Sequence, residues 1–224
     1  MKKWICLALA ACLAAGLTAC GGAKETADDT KAEQTETAAE EKKEEETGVS
    51  DISQNADGFI EIHSAEDFVR FAELFKEEAI NSGDRRVNLN AVLMADIDLS
   101  DAIPADSTLL PLGGEYSVEK DGKESTVWAS FAGEFDGNGH TISGIHLDVT
   151  DRGRSAGLFH TVYTWEDQAV SIHDLTIADS SFSGNANYMG AFAGSASTNT
   201  LFENCTVAET VTVESSGESS RTGG

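Results

Sequence analysis

Ile172-His173-Asp174-Leu175-Thr176-Ile177 stands midway between two segments of the same character, Ile142-Ser143-Gly144-Ile145-His146-Leu147 and Phe202-Glu203-Asn204-Cys205-Thr206-Val207. The three begin at positions 142, 172 and 202, a constant step of 30 residues. Their columns agree in chemistry. Ile142, Ile172 and Phe202 are apolar, as are Ile145, Leu175 and Cys205, and Leu147, Ile177 and Val207. Alternation within each hexad suits a short strand with one buried face. The column Gly144, Asp174, Asn204 holds residue types that tolerate a left-handed backbone, as a tight bend between short strands requires. A fixed period in this range indicates stacked units, each burying its apolar side only against its neighbours.

A second set of matches runs beside the first. Ala156-Gly157-Leu158-Phe159 recurs as Met189-Gly190-Ala191-Phe192, a step of 33, and a further 33 lands on Thr222-Gly223-Gly224. Ala132-Gly133-Glu134-Phe135 reads as an earlier copy at a shorter step. Upstream, Val92 to Leu99 reads as one strand, followed by a polar excursion from Ser100 to Thr126.

The stretch Phe131-Ala132-Gly133-Glu134-Phe135-Asp136-Gly137-Asn138-Gly139-His140-Thr141-Ile142, with the glycine-centred tetrads at 156 and 189, resembles the signature of GLUG-type repeat proteins. Leu93 to Leu99 is similar to what precedes that signature. Such regions occur in bacterial surface adhesins and beside the protease domain of immunoglobulin-cleaving metallopeptidases. The resemblance covers roughly residues 58–224. It implies a mainly β fold: a right-handed parallel β-helix, incomplete and of few coils, over 87–224, truncated at its C-terminal end. It specifies architecture more than activity.

Before the repeats, Phe59, Ile60 and Ile62 suggest a strand. Ser64 and Asp67 form a capping-box pattern. Phe68, Phe71, Ala72, Phe75 and Ala79 then recur at one-face helical spacing up to Asn81-Ser82-Gly83, where Gly suits a left-handed cap. Residues 58–86 are therefore expected to be a strand plus a helix that caps the open end of the stack.

The first 57 residues read differently. Lys2 and Lys3 precede an apolar run from Ile5 to Leu17, the length of a signal-peptide core and short for a membrane span. Leu17-Thr18-Ala19-Cys20 resembles the lipobox of bacterial lipoproteins. That resemblance implies cleavage of residues 1–19 and a lipid on Cys20, which becomes the membrane anchor. The alternative is a plain secretory leader with Cys20 incidental. Residues 20–57 are acidic and almost without large apolar side chains, so they cannot offset their ordering entropy. They read as a disordered tether; an acidic helix is the other reading. A tether of this length reaches roughly 30 Å.

Charge and cysteines narrow the function. The net charge of −24 opposes nucleic acid and bare anionic membrane surfaces. Of four cysteines, Cys6 and Cys12 leave with the leader and Cys20 is lipidated, so Cys205 has no disulfide partner. Cys205 sits in an inward column and reads as a small core side chain.

No His-Glu-x-x-His run is present, and His63, His140, His146, His160 and His173 show no ligand spacing. No metal or cofactor is expected. Asp136-Gly137-Asn138-Gly139 has part of a calcium loop's oxygen set but lacks the rest, and reads as a tight turn. Glu134, Asp136, Asp174 and Glu203 are the acids from which a glycosidase pair would be drawn. A polyuronate lyase is disfavoured because Arg152, Arg154 and Arg221 are the only bases beyond Glu124.

No catalytic set is assigned, and this segment is read as non-enzymatic. The expectation is a lipid-anchored protein on the cell surface, facing away from the cytoplasm. It serves as a binding or adhesion scaffold presenting Ser, Thr, Asn, Tyr188 and Trp165 to a glycan or a host protein. Two alternatives stay open: the N-terminal part of a carbohydrate-active enzyme whose catalytic coils lie beyond residue 224, and a spacer for a C-terminal effector domain.

Overall fold

The computed structural model describes residues 52–104, 107–120, 122–149, 155–165, 168–197, 199–216 and 221–223. The leader, Cys20 and most of the acidic stretch lie outside the described residues. Description starts at Ile52, ahead of Gly58, where Asn55 Oδ1 accepts from the amides of Asp57 and Phe59 and Ile52 packs against the core.

The chain is mainly β with one helix. Strand β1 (Ile60–Ile62) leads into α1 (Ala65–Ser82). Ser64 Oγ accepts from the Asp67 amide at 3.2 Å, and the Asp67 carboxylate accepts from the His63 amide at 3.0 Å, so the first turn is capped reciprocally. Gly83, at φ 66°, ends the helix in the left-handed region. Phe68, Phe71, Ala72, Phe75 and Ala79 are all buried, as their spacing predicts.

Next come β2 (Arg86–Val87), β3 (Ala91–Leu93) and β4 (Ile97–Asp98). Val92 to Leu99 is thus two strands rather than one: the chain bends at Met94–Asp96, where the Asp96 carboxylate accepts from the Thr141 amide. The polar excursion contains an antiparallel hairpin of β5 (Gly114–Lys120) and β6 (Lys123–Phe131).

From there the chain repeats a five-strand pass. The first holds β7 (Glu134–Asp136), β8 (Thr141–Ser143), β9 (His146–Asp148), β10 (Ser155–Ala156) and β11 (Phe159–Val162). The second holds β12 (Val170–His173), β13 (Thr176–Ala178), β14 (Ser181–Gly184), β15 (Tyr188–Gly190) and β16 (Ala193–Ala196). The third holds β17 (Thr200–Glu203), β18 (Thr206–Val207), β19 (Thr212–Ser215) and β20 (Arg221–Gly223). Each strand pairs in parallel with its counterpart in the next pass. The resulting ladders run β1-β3-β7-β12-β17, β4-β8-β13-β18, β9-β14-β19, β10-β15-β20 and β2-β6-β11-β16.

Register corrects two alignments made from the sequence. Ile172 lies opposite Phe202, and Ile177 opposite Val207, so the step of 30 holds there. Ile142, however, lies opposite Ile177, and Phe135 opposite Ile172. The hexad at 142 therefore spans the second bend of its pass, whereas those at 172 and 202 span the first. At Gly144, Asp174 and Asn204 the two bends share one pattern, an apolar residue two places before a left-handed position and another directly after it. Asn138, Asp174 and Asn204 have φ near 50° at the first bend; Gly144 and Asp179 have φ of 71° and 43° at the second. Likewise Ala132 to Phe135 is no copy of Ala156 to Phe159, because Glu134 pairs with Ser171 and Leu112 bridges to Phe159.

The step of 33 holds at Ala156 and Gly157 but lengthens to 34 by Phe159, which lies opposite Ala193 rather than Phe192. Ala156 pairs with Met189, which pairs with Thr222, so Gly157, Gly190 and Gly223 form one column. A Cβ on Gly157 would sit 2.6 Å from the Gly190 carbonyl oxygen. Glycine is required there because the next pass lies against the backbone.

Inward side chains form one core. Phe135, Ile142, Leu147, Ile172, Ile177 and Phe182 are buried, and so are Ile145 and Leu175. Cys205 is half-buried against the same cluster. Aromatic rings join helix and strands: Phe71 meets Phe135 at 5.9 Å, Phe135 meets Phe159 at 5.7 Å, and Phe159 meets Phe131 at 4.5 Å. Phe75 stacks on Phe131 at 6.3 Å. Helix α1 thus packs its apolar face against the interior formed by β6 and β7. At the other end, Leu201 and Phe202 are exposed.

Candidate functional site

Two clusters on the outer faces carry chemistry. The first lies on the β7-β12-β17 ladder. Residues two apart on a strand face the same way, so Glu134 and Asp136 share the outer face while Phe135 points inward. Register sets His173 between Asp136 and Glu203. The His173 ring is bracketed by carboxylates: Nε2 lies 3.1 Å from Glu134 Oε1, and Nδ1 lies 2.8 Å from Asp174 Oδ2 and 3.5 Å from Asp136 Oδ1. Asn204 Nδ2 donates to the other Asp174 oxygen at 2.9 Å. Glu134, Asp136 and Asp174 are therefore brought together, and Glu203 is an exposed in-register neighbour.

Burial pulls the His173 pKa down, but hydrogen bonds to Asp174 and Glu134 and the charges of Asp136 and Glu134 outweigh it, so the net shift is upward. The His173 and Asn204 hydrogen bonds hold the Asp174 carboxyl below its ordinary range. A glycosidase acid needs the opposite shift, because it must keep its proton near neutral pH. Asp136, His173 and Asp174 each offer one ligand atom, all within 4.8 Å of one another.

The other singled-out residues take structural places. Asp136-Gly137-Asn138-Gly139 forms the first bend, where Asn138 Nδ2 donates to the Leu93 carbonyl. His140 ends that bend, 3.2 Å from Asp96. His63 lies 3.7 Å from Glu61, and His146 Nδ1 lies 3.0 Å from Ser181 Oγ. Cys205 Sγ donates to the Ile172 carbonyl at 3.3 Å, and burial pushes its thiol pKa up, so it is a poor nucleophile. Arg152 and Arg154 lie outside the described residues; Arg221 opens β20.

The second cluster is a groove of about 820 Å³, within the range of small-ligand sites. Its floor is the outer face of β2, β6 and β11, where Arg86 pairs with Ser130 and Thr161 lies alongside. One wall is the C-terminal end of α1, with Ser82, Gly83 and Asp84. Three aromatic rings complete it. Trp165 is 54% exposed, and its ring meets Tyr163 edge-on at 5.5 Å. Trp128 is 42% exposed and rests on the buried His160 ring at 5.8 Å.

Arg86 is locked in this groove. Its Nη2 donates to Asp84 Oδ2 at 2.8 Å and its Nε to Asp84 Oδ1 at 3.2 Å, a two-pronged pair. The guanidinium lies 5.4 Å from the Trp165 ring centre. Asp84 is held below its ordinary pKa by the same side-chain hydrogen bond.

Trp165 was anticipated as a presenting residue; Trp128, Tyr163, Asp84, Arg85 and Arg86 were not. One signal was legible. The chain has three tryptophans; Trp4 lies near the N-terminus, outside the described residues, and the other two both line this groove. Tyr188 is elsewhere, lining a separate cleft with Phe192 and Phe202.

No helix among the described residues is long and apolar enough to cross a membrane. Compared with protein-family models, curated proteins and solved structures, the chain matches none.

Proposed function

We propose that this chain is a lipoprotein of the bacterial cell surface, tethered through a lipid on Cys20, whose folded part is a binding scaffold for glycans. The ladders are read as walls of one right-handed parallel β-helix of the GLUG-repeat kind. Two features support that reading: every strand of a pass pairs in parallel with its counterpart one pass later, and parallel crossovers are right-handed in about 98% of cases. Stacking of this kind leaves long outer faces for ligands.

The observation that carries the binding role is the groove with two exposed tryptophan rings and a fixed Arg86–Asp84 pair. A pyranose has one flat face of C–H bonds and a rim of hydroxyls. The C–H face fits the negative face of an indole, and the rim needs donors and acceptors fixed in place. Trp165 and Trp128 offer the first, Arg86 and Asp84 the second.

Binding of the full chain to an immobilised panel of polysaccharides and extracellular-matrix proteins tests this. Retention on at least one polysaccharide, lost in the Trp128→Ala/Trp165→Ala double variant, is the expected result. Retention on matrix proteins alone would transfer the role to a protein partner. Silence on every surface would leave a spacer.

A further inference from the structure

The charges around the groove narrow the class of sugar. Asp84 cancels Arg86 through the two-pronged contact. Arg85 is then the remaining charged side chain of the lining. Against it stand the last-turn carbonyls of α1, a helix end that carries partial negative charge and has no basic residue in its final turn. The whole chain carries −24. An anionic sugar approaching so acidic a chain meets a repulsive long-range field. A cationic ligand is also disfavoured at close range, because Arg85 and Arg86 outnumber Asp84 in the lining.

Donors and acceptors stand side by side in the groove: the Arg86 fork, the Asp84 carboxylate, and the hydroxyls of Ser130 and Thr161. Thr161 Oγ1 already shares hydrogen bonds with His160 Nδ1 and Ser195 Oγ, which fixes its position. A hydroxyl both donates and accepts, so one sugar hydroxyl can bond Asp84 and Arg86 together without bringing any charge.

We infer that the groove selects uncharged pyranose glycans, stacked on Trp165 and bonded through hydroxyls to the Arg86–Asp84 pair, and discriminates against uronic, sialylated and sulfated ones; this rests on the glycan-binding reading above. Calorimetry on the full chain tests it. The neutral probes are hexasaccharides of β-1,4-glucan, β-1,3-glucan and β-1,4-galactan; the anionic probes are oligogalacturonate, sialyllactose and a heparin hexasaccharide.

The expected result is binding of at least one neutral probe, about tenfold tighter than any anionic one. Raising the salt severalfold should leave that affinity unchanged, since no charge is paired across the interface. Trp165→Ala should weaken it about tenfold with the far-ultraviolet dichroism preserved, as expected for an exposed aromatic anchor. Tighter binding of an anionic probe, weakened by salt and by Arg85→Gln, overturns the class assignment and leaves glycan binding standing. Neutral binding untouched by Trp165→Ala and Trp128→Ala removes the groove as the site. No heat with any probe overturns both readings.

Discussion

His160 and His173 face opposite electrostatic demands, although they sit on the consecutive strands β11 and β12. His160 is 4% exposed beneath Trp128, and burial pushes its pKa down to about 4. An unfolded imidazole titrates near about 6.5. The stability His160 contributes is therefore complete above about pH 6.5 and is lost as the pH falls towards 4, because acid protonates the unfolded chain first. His173 works in reverse. Its folded pKa is raised, so its contribution is complete below about pH 6.5 and disappears as the pH climbs through the raised value. Urea midpoints measured across pH should show both flanks. His173→Gln should flatten the neutral-to-alkaline decline and spare the acid one; an unaltered alkaline flank would deny the cluster its energetic role. Neither behaviour was legible in the sequence, where both residues are merely histidines that follow a large apolar residue in a strand pattern. Register and burial assign the difference.

At the scale of elements, helix α1 and the glycine column follow directly from local chemistry. The helix was readable because its cap, stripe and stop are all local in sequence, and its five core residues are the five that are buried. The hairpin was readable too but escaped: Asp121-Gly122, between Lys120 and Lys123, is the dipeptide that favours a two-residue turn. Strand alignment is where sequence reasoning failed. Both bends of a pass share one apolar and left-handed pattern, so a self-match cannot tell which bend it has found. Four residues, Gly137 to His140, separate β7 from β8, whereas only Asp174 and Leu175 separate β12 from β13, and that difference shifts the frame. The column of Gly157, Gly190 and Gly223 supplies a test of close stacking. Gly157→Ala places a methyl against the Gly190 carbonyl and the Ala193 backbone, where no flexible side chain can yield. It should cost about 1–3 kcal/mol in thermal or urea unfolding. Gly223→Ala, whose Cβ meets nothing within 4 Å, should be near neutral. Equal effects from the two would mean that the passes are not pressed together there.

For the molecule as a whole, the proposed address and the proposed groove are separate statements. The address rests on Leu17-Thr18-Ala19-Cys20, and one substitution tests it. Cys20→Ser should move the protein from the membrane fraction to the soluble one, because a lipid chain anchors through buried methylenes that serine cannot carry. A protein still pelleting with membranes would remove the lipid from the account. What the sequence alone determined is whatever depends on near neighbours along the chain: the leader pattern, the acidic stretch, the capped helix and the left-handed bends. Each needs only one or two turns of backbone to be satisfied. The tertiary structure alone decided what depends on which pass lies against which. It placed Ile142 opposite Ile177, gathered Glu134, Asp136 and Asp174 around His173, and set Trp128 and Trp165 on one groove from positions 37 residues apart. Those outcomes depend on register, and register is set by the length of every bend and by how well the buried faces pack together, neither of which any single segment of the chain contains.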